Sequence, residues 1–117
     1  MQNRKAVLEQ LLLCPDHGRL RDVTAALQQF PWDCNEPLVT LTRPLIESIL
    51  SRYVHSELTS ADVEEWANLV EGRDDIKFEP GNEDTVGAIM HELANPFLTE
   101  PLTQKRAEFL IQTVRDK

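Results

Sequence analysis

The chain is organised around residues 57–72, which read ELTSADVEEWANLVEG. A helix entered at Thr59 would gather its apolar residues into one stripe, because they recur at spacings of three, four and seven. These residues are Val63, Trp66, Ala67 and Val70. Thr59 or Ser60 can supply the capping oxygen at the start, and Gly72 can take the left-handed conformation that often ends a helix. The stretch therefore predicts an amphipathic helix with one face in a core.

The acidic residues of this helix lie off the apolar stripe and belong to a larger acidic segment. The chain has a net charge of −8, and residues 57–84 hold ten carboxylates against Arg73 and Lys77, so the rest of the chain is formally neutral. Such a segment repels phosphate backbones and attracts basic surfaces. Direct binding to nucleic acid is therefore disfavoured, and the same repulsion argues against a helix-turn-helix whose recognition helix would be this acidic one. The plainer interpretation, a solvated face that keeps the protein in solution, stays open.

Helical patterns also occur in five other parts of the chain. They lie at residues 2–13, residues 16–30, residues 42–55, residues 82–94 and from residue 103 onward. The first two should pack as an antiparallel pair, and the short turn before Thr59 makes the third and fourth neighbours. We therefore predict an all-α fold, a compact single-domain bundle of about six short helices.

The connections carry four further expectations. Residues 38–42 have strand-like composition but no evident partner strand, so they are predicted to be an extended lead-in to the third helix. Residues 76–78 alternate apolar and charged side chains and should be extended. The hydrophobic linker 97–102 should lie across the core. Trp32 either seals one end of the core or, if exposed, marks a contact point.

No motif of catalysis or cofactor binding occurs in the sequence, so we expect no enzyme and no cofactor. Cys14, His17 and Cys34 could be imagined as zinc ligands, but a fourth ligand at sensible spacing is missing. The pair Asp74-Asp75 lacks the ordered oxygen ligands of a calcium loop. No apolar run approaches the roughly 18 residues that cross a bilayer, and no signal peptide is evident. The expected compartment is the cytosol.

Several short segments give the chain a resemblance to small bacterial proteins. Within the run 41–79 they are residues 57–59, 66–68 and 73–76, and they are followed by the hexapeptide HELANP at 91–96. With these segments the chain resembles immunity proteins of polymorphic toxin and contact-dependent growth-inhibition systems. The resemblance implies a small cytosolic protein that binds and neutralises a basic toxin domain, such as a nuclease.

On this hypothesis carboxylates of the acidic segment cover the basic cleft of the partner, and Trp32 contributes an aromatic contact. The candidate partner-binding residues are Asp62, Glu64, Glu65, Glu71, Asp74, Asp75 and Trp32. The alternative is a regulatory or structural subunit that binds through an apolar patch around Phe97, Leu98 and Leu102. A salt titration distinguishes the two hypotheses, because screening by ions weakens a charge-driven complex and leaves an apolar complex nearly unchanged.

Overall fold

The computed structural model describes residues 4–13, 17–30, 37–71, 73 and 75–116, with the backbone alone for residues 17–19. These residues form six α-helices and two short β-strands. The helices are α1 (Arg4–Leu12), α2 (His17–Leu27), α3 (Arg43–Val54), α4 (Ser60–Val70), α5 (Glu83–Ala94) and α6 (Gln104–Arg115). The strands are β1 (Val39–Leu41) and β2 (Ile76–Phe78). The predicted all-α class is confirmed, with a small sheet added to it.

Three of the helices begin at threonines whose hydroxyls satisfy a backbone N–H that the first turn leaves without a partner. Thr42, Thr59 and Thr103 each accept a hydrogen bond from the N–H three residues further on, at 3.4, 3.1 and 3.1 Å. Before α5, Asn82 stands at the cap position but its side chain makes no capping bond. The predicted starts of α3 at residue 42 and of α6 at residue 103 are therefore confirmed, and of the two capping residues left open for α4 the structure has Thr59.

The helices pack mainly as three pairs around one core. α1 lies against α2, α3 against α6 and α4 against α5, and α3 also contacts its neighbour α4. The apolar stripe of α4 is buried as predicted, and its Trp66 is 0% exposed. The Cα radius of gyration is 13.7 Å, close to the ~13 Å expected for one compact domain of this length. Among the described residues, none of the helices has both the length and the apolarity needed to cross a membrane.

The prediction that residues 38–42 lack a partner strand is wrong. β1 and β2 form a parallel two-stranded sheet in which Val39 pairs with Ile76 and Leu41 with Phe78. The extended conformation expected for β2 is confirmed. A three-residue strand carries too little periodicity to reveal its partner, and a parallel partner lies beyond a long crossover, here α3 and α4.

The prediction that the linker 97–102 lies across the core is also wrong at its apolar start. Phe97 is 97% exposed and Leu98 is 78% exposed, while Leu102 alone of the three packs against the core. Residues 96–98 form a turn directly after α5, and the N–H groups of Leu98 and Thr99 donate to the carbonyl of Asn95. This tight turn directs the two apolar side chains away from the interior.

Candidate functional site

The carboxylates of α4 flank its buried stripe on different sides. Successive residues of an α-helix are rotated by about 100 degrees, so Glu64 and Glu65 point in different directions although they are neighbours in the chain. Glu64 is half-buried on the side that faces the end of α5, whereas Glu65 is exposed. The acidic residues of α4 therefore do not form one continuous patch.

Asp62 has a structural task at the start of α4. Its carboxylate accepts a hydrogen bond from the backbone N–H of Thr59 at 2.9 Å, while the Thr59 hydroxyl accepts one from the N–H of Asp62. The two residues form a reciprocal capping box. Asp62 remains at the surface, but its geometry is set by the helix end rather than by a partner.

Glu71, at the other end of α4, has neighbours on α5. Its carboxylate lies 3.4 Å from Nδ1 of His91 and accepts a long hydrogen bond from the side-chain amide of Asn95 at 3.5 Å. The side chains of Glu71 and His91 are about one-third and one-half exposed. This surface cluster ties the C-terminal ends of α4 and α5 together.

Asp75 is not on the acidic surface, so its expected place there is wrong. The residue is 1% exposed, and its carboxylate receives hydrogen bonds from Arg4 at 2.9 Å and from Arg73 at 2.9 and 3.0 Å. Asp75 directly precedes β2, where its carbonyl also accepts from the N–H groups of Leu38 and Val39. Its charge is therefore compensated inside the fold and is not presented to a partner.

The surroundings of Asp75 also change its titration. Burial acts to raise the pKa of this carboxyl, but hydrogen bonds from Arg73 and Arg4, together with their positive charges, outweigh that effect and hold the pKa below its ordinary value. The carboxylate is therefore kept ionised in the folded state. The pairing with Arg4 joins the first turn of α1 to the sheet.

Glu79, another member of the acidic segment, is also paired within the chain. It accepts hydrogen bonds from the backbone N–H and from Nε of Arg43 at 3.2 and 2.6 Å, and from the side-chain amide of Asn82 at 2.8 Å. Desolvation acts to raise the pKa of Glu79, and the bonds from Arg43 and Asn82 lower it on balance. Asp75 and Glu79, two of the ten carboxylates of residues 57–84, are thus paired with arginines of the same chain.

Several predicted residues lie outside the described part of the chain. They are Trp32, Gly72, Asp74, Cys14, Cys34 and the side chain of His17, so the conformation expected of Gly72 is also not described. The proposed roles of Trp32 and Asp74 thus remain predictions. Among the residues that are described, no group of three or more histidine, cysteine or carboxylate side chains is arranged to hold a metal ion.

A cleft brings the acidic helix and the apolar linker together. It has a volume of about 190 Å3 and lies where the N-terminal half of α4 meets the C-terminal end of α5 and the linker. Its lining includes Ser60 and Glu64 from α4, Leu93 from α5, and Phe97 and Leu102 from the linker. The two candidate surfaces of the sequence, one acidic and one apolar, therefore adjoin at Glu64 and Phe97.

Sequence reasoning missed this cleft and the three ion pairs that hold Asp75 and Glu79 within the fold. Arg73 lies two residues from Asp75, and this spacing could have suggested an ion pair. Arg4 and Arg43 are distant in the chain from their partners Asp75 and Glu79, so no local spacing indicated those ion pairs. The exposed turn at Phe97 had a usable signal, since Asn95-Pro96 ends α5 and favours a turn.

Comparison with known proteins adds no family to this picture. No family model matches the chain, and neither curated proteins nor solved structures gave a match.

Proposed function

We propose that this chain is a non-enzymatic, cytosolic protein of the immunity type that binds and neutralises a basic protein partner. The observation that supports it best is the cleft whose lining includes both Glu64 of the acidic helix and the exposed Phe97. Stable protein contacts usually combine an apolar anchor with charges around it. The identity of the partner as a toxin domain rests on the resemblance of the sequence alone.

The charge of the molecule suits a basic partner. The net charge is −8. Asp75 and Glu79 are paired with arginines of the same chain, whereas three carboxylates of α4 lie at or near the surface, namely Asp62, Glu64 and Glu65. A negative field speeds the approach of a positive partner by roughly 10 to 1,000-fold at low salt. The surface carboxylates of α4, although they lie on different sides of the helix, therefore serve the encounter, and the contacts in the cleft determine the lifetime of the complex.

A second candidate function has its own observation. Phe97 is almost fully exposed and Leu98 is largely exposed, although apolar side chains of this size cost free energy in water. A regulatory or structural subunit could use this pair as its main contact, with the acidic residues serving only to keep the protein in solution. Such a complex would be held by apolar burial and not by charge.

The test uses the product of the adjacent reading frame as the candidate partner and compares two double variants. Glu64→Gln with Glu65→Gln removes two charges from α4, and Glu9→Gln with Glu108→Gln removes two exposed charges elsewhere. We expect the first variant to weaken the complex at least ~10-fold at low salt and the second to change it little. Binding should be measured by calorimetry from ~50 to ~500 mM salt.

The salt series separates the two candidate functions. A charge-driven complex loses affinity as salt rises, and the α4 variant flattens that dependence. The apolar subunit would be favoured by an affinity that does not depend on salt, is equal for the two double variants and is lost in Phe97→Ser. Absence of any complex with the adjacent gene product would overturn the immunity-type proposal.

A further inference from the structure

The cleft between α4, α5 and the linker has walls of unlike chemistry. Its lining includes apolar residues, among them Phe97, Pro101 and Leu102, and the half-buried Glu64. A ligand that fits this cleft needs a long apolar stem and a polar head. That combination describes the side chains of lysine and arginine.

The electrostatics of the cleft favour a positive head. Within the described residues, no cationic side chain forms an ion pair with Glu64. Glu92, the other carboxylate of the cleft, is already held by Arg106 through two hydrogen bonds of 2.6 and 2.8 Å. Glu64 therefore contributes one negative charge that the described chain leaves uncompensated.

The ring of Phe97 favours arginine over lysine. It stands at the rim of the cleft, 97% exposed, with its face available to a planar group. A guanidinium stacks on aromatic faces and binds a carboxylate through two parallel hydrogen bonds, whereas an ammonium offers a compact point charge. The molecule already contains such stacking, since the guanidinium of Arg106 lies 4.7 Å from the centre of the Phe109 ring.

We propose that this cleft is the specificity site for one arginine side chain of the basic partner, with the guanidinium on the carboxylate of Glu64 and against the ring of Phe97. The aliphatic stem then lies along Pro101 and Leu102. The inference rests on the proposed function, because it names the group by which the partner is recognised. It adds a defined anchor to a surface that is otherwise described only by its charge.

The test is a titration of the whole chain, followed by NMR, with Nα-acetyl-L-arginine methylamide. The probe should shift the resonances of Ser60, Glu64 and Phe97 in a saturable way, with a Kd of ~1 mM for a ligand of this size. The citrulline analogue has nearly the same shape without the charge, and it should bind at least ~10-fold more weakly. The lysine analogue should also be weaker than arginine.

Two matched variants locate the contact. Glu64→Gln keeps the shape of the side chain and should reduce arginine binding to the level of citrulline, while Glu65→Gln, one residue away on an exposed side of α4, should leave it unchanged. Phe97→Ala should weaken arginine and citrulline alike. Because Phe97 is almost fully exposed, this variant is expected to stay folded, and the dispersion of the amide spectrum checks this.

The results that overturn the inference differ from those that overturn the proposed function. Equal binding of arginine and citrulline, tighter or equal binding of lysine, or no shifts at the cleft would each overturn the arginine site. The proposed function would survive those results if the α4 double variant still weakened the complex with the adjacent gene product. If arginine bound selectively but the α4 double variant left the complex with the adjacent gene product unchanged, the arginine site would stand and its role in partner recognition would be overturned.

Discussion

Two carboxylates from the same acidic segment show how surroundings decide the role of a residue. Asp75 is buried and held by Arg4 and Arg73, whereas Glu64 is half-buried beside a cleft with no ion-pair partner among the described residues. A buried charge is tolerated only when it is paired and hydrogen-bonded. Asp75 therefore belongs to the stability of the fold, and Glu64 is available for binding.

Replacing Asp75 with asparagine tests this assignment. Asp75→Asn keeps the shape but removes the charge between two arginines, so it should lower the free energy of unfolding by about 2 to 4 kcal/mol at neutral pH. Asp84→Asn, the same change at an exposed position, should stay within about 0.5 kcal/mol. Urea denaturation followed by circular dichroism measures both, and equal values for the two variants would contradict the structural role of Asp75.

The lowered pKa of Asp75 also predicts a pH dependence. Its ordinary value is 3.8, and its folded-state pKa lies below this, so the unfolded state takes up the proton first as the pH falls. The stabilisation is therefore complete well above 3.8 and is lost as the pH drops through 3.8 toward the folded-state pKa. The wild-type protein should lose stability more steeply than Asp75→Asn in this acid range. Parallel curves for the two proteins would contradict the prediction.

At the scale of elements, α4 holds the bundle together through both its ends and its buried face. The capping box of Thr59 and Asp62 sets its start, and the indole N–H of Trp66 donates to the carbonyl of Leu11 at 2.8 Å in the interior. That carbonyl lies in the last turn of α1, where the helix itself supplies no donor. A single side chain therefore fills the core and also satisfies the end of another helix.

A substitution at Trp66 tests the connection between α4 and α1. Trp66→Phe keeps an aromatic ring but removes the N–H and leaves a small void, so it should lower the free energy of unfolding by about 2 to 4 kcal/mol. Phe109→Leu on α6 shortens an aromatic side chain that is largely exposed, and should cost less than about 1 kcal/mol. Chemical denaturation gives both values. A small effect at Trp66 would mean that the bond to Leu11 contributes little.

Across the whole molecule, some carboxylates of the acidic segment pair with arginines of the same chain, whereas other surface residues remain exposed. Arg4 and Arg43, both outside the acidic segment, form ion pairs with Asp75 and Glu79 within it, so two carboxylates of the segment are compensated by distant parts of the chain. The apolar turn after α5 then stands out on the surface beside Glu64. The combination favours a contact with an apolar centre and an acidic border.

The exposed turn makes a prediction about the whole surface. Phe97→Ser should change the free energy of unfolding by no more than about 0.5 kcal/mol, because the ring is almost fully in water in the native state. Leu102→Ser, five residues later, removes a side chain that packs against the core and should cost at least ~1 kcal/mol. Thermal unfolding compares them, and a large loss at Phe97 would show that the linker covers the core after all.

The positions of the helices could be predicted from the amino-acid sequence, because apolar spacing, capping threonines and proline are local signals. The stripe of α4, its start at Thr59 and the end of α5 before Pro96 all follow from residues within one or two turns. Only the tertiary structure decided the pairing of β1 with β2, the partners of Asp75 and Glu79, and the cleft at Glu64 and Phe97. These depend on segments that are distant in the chain and meet only when the core closes, so no local pattern encodes them.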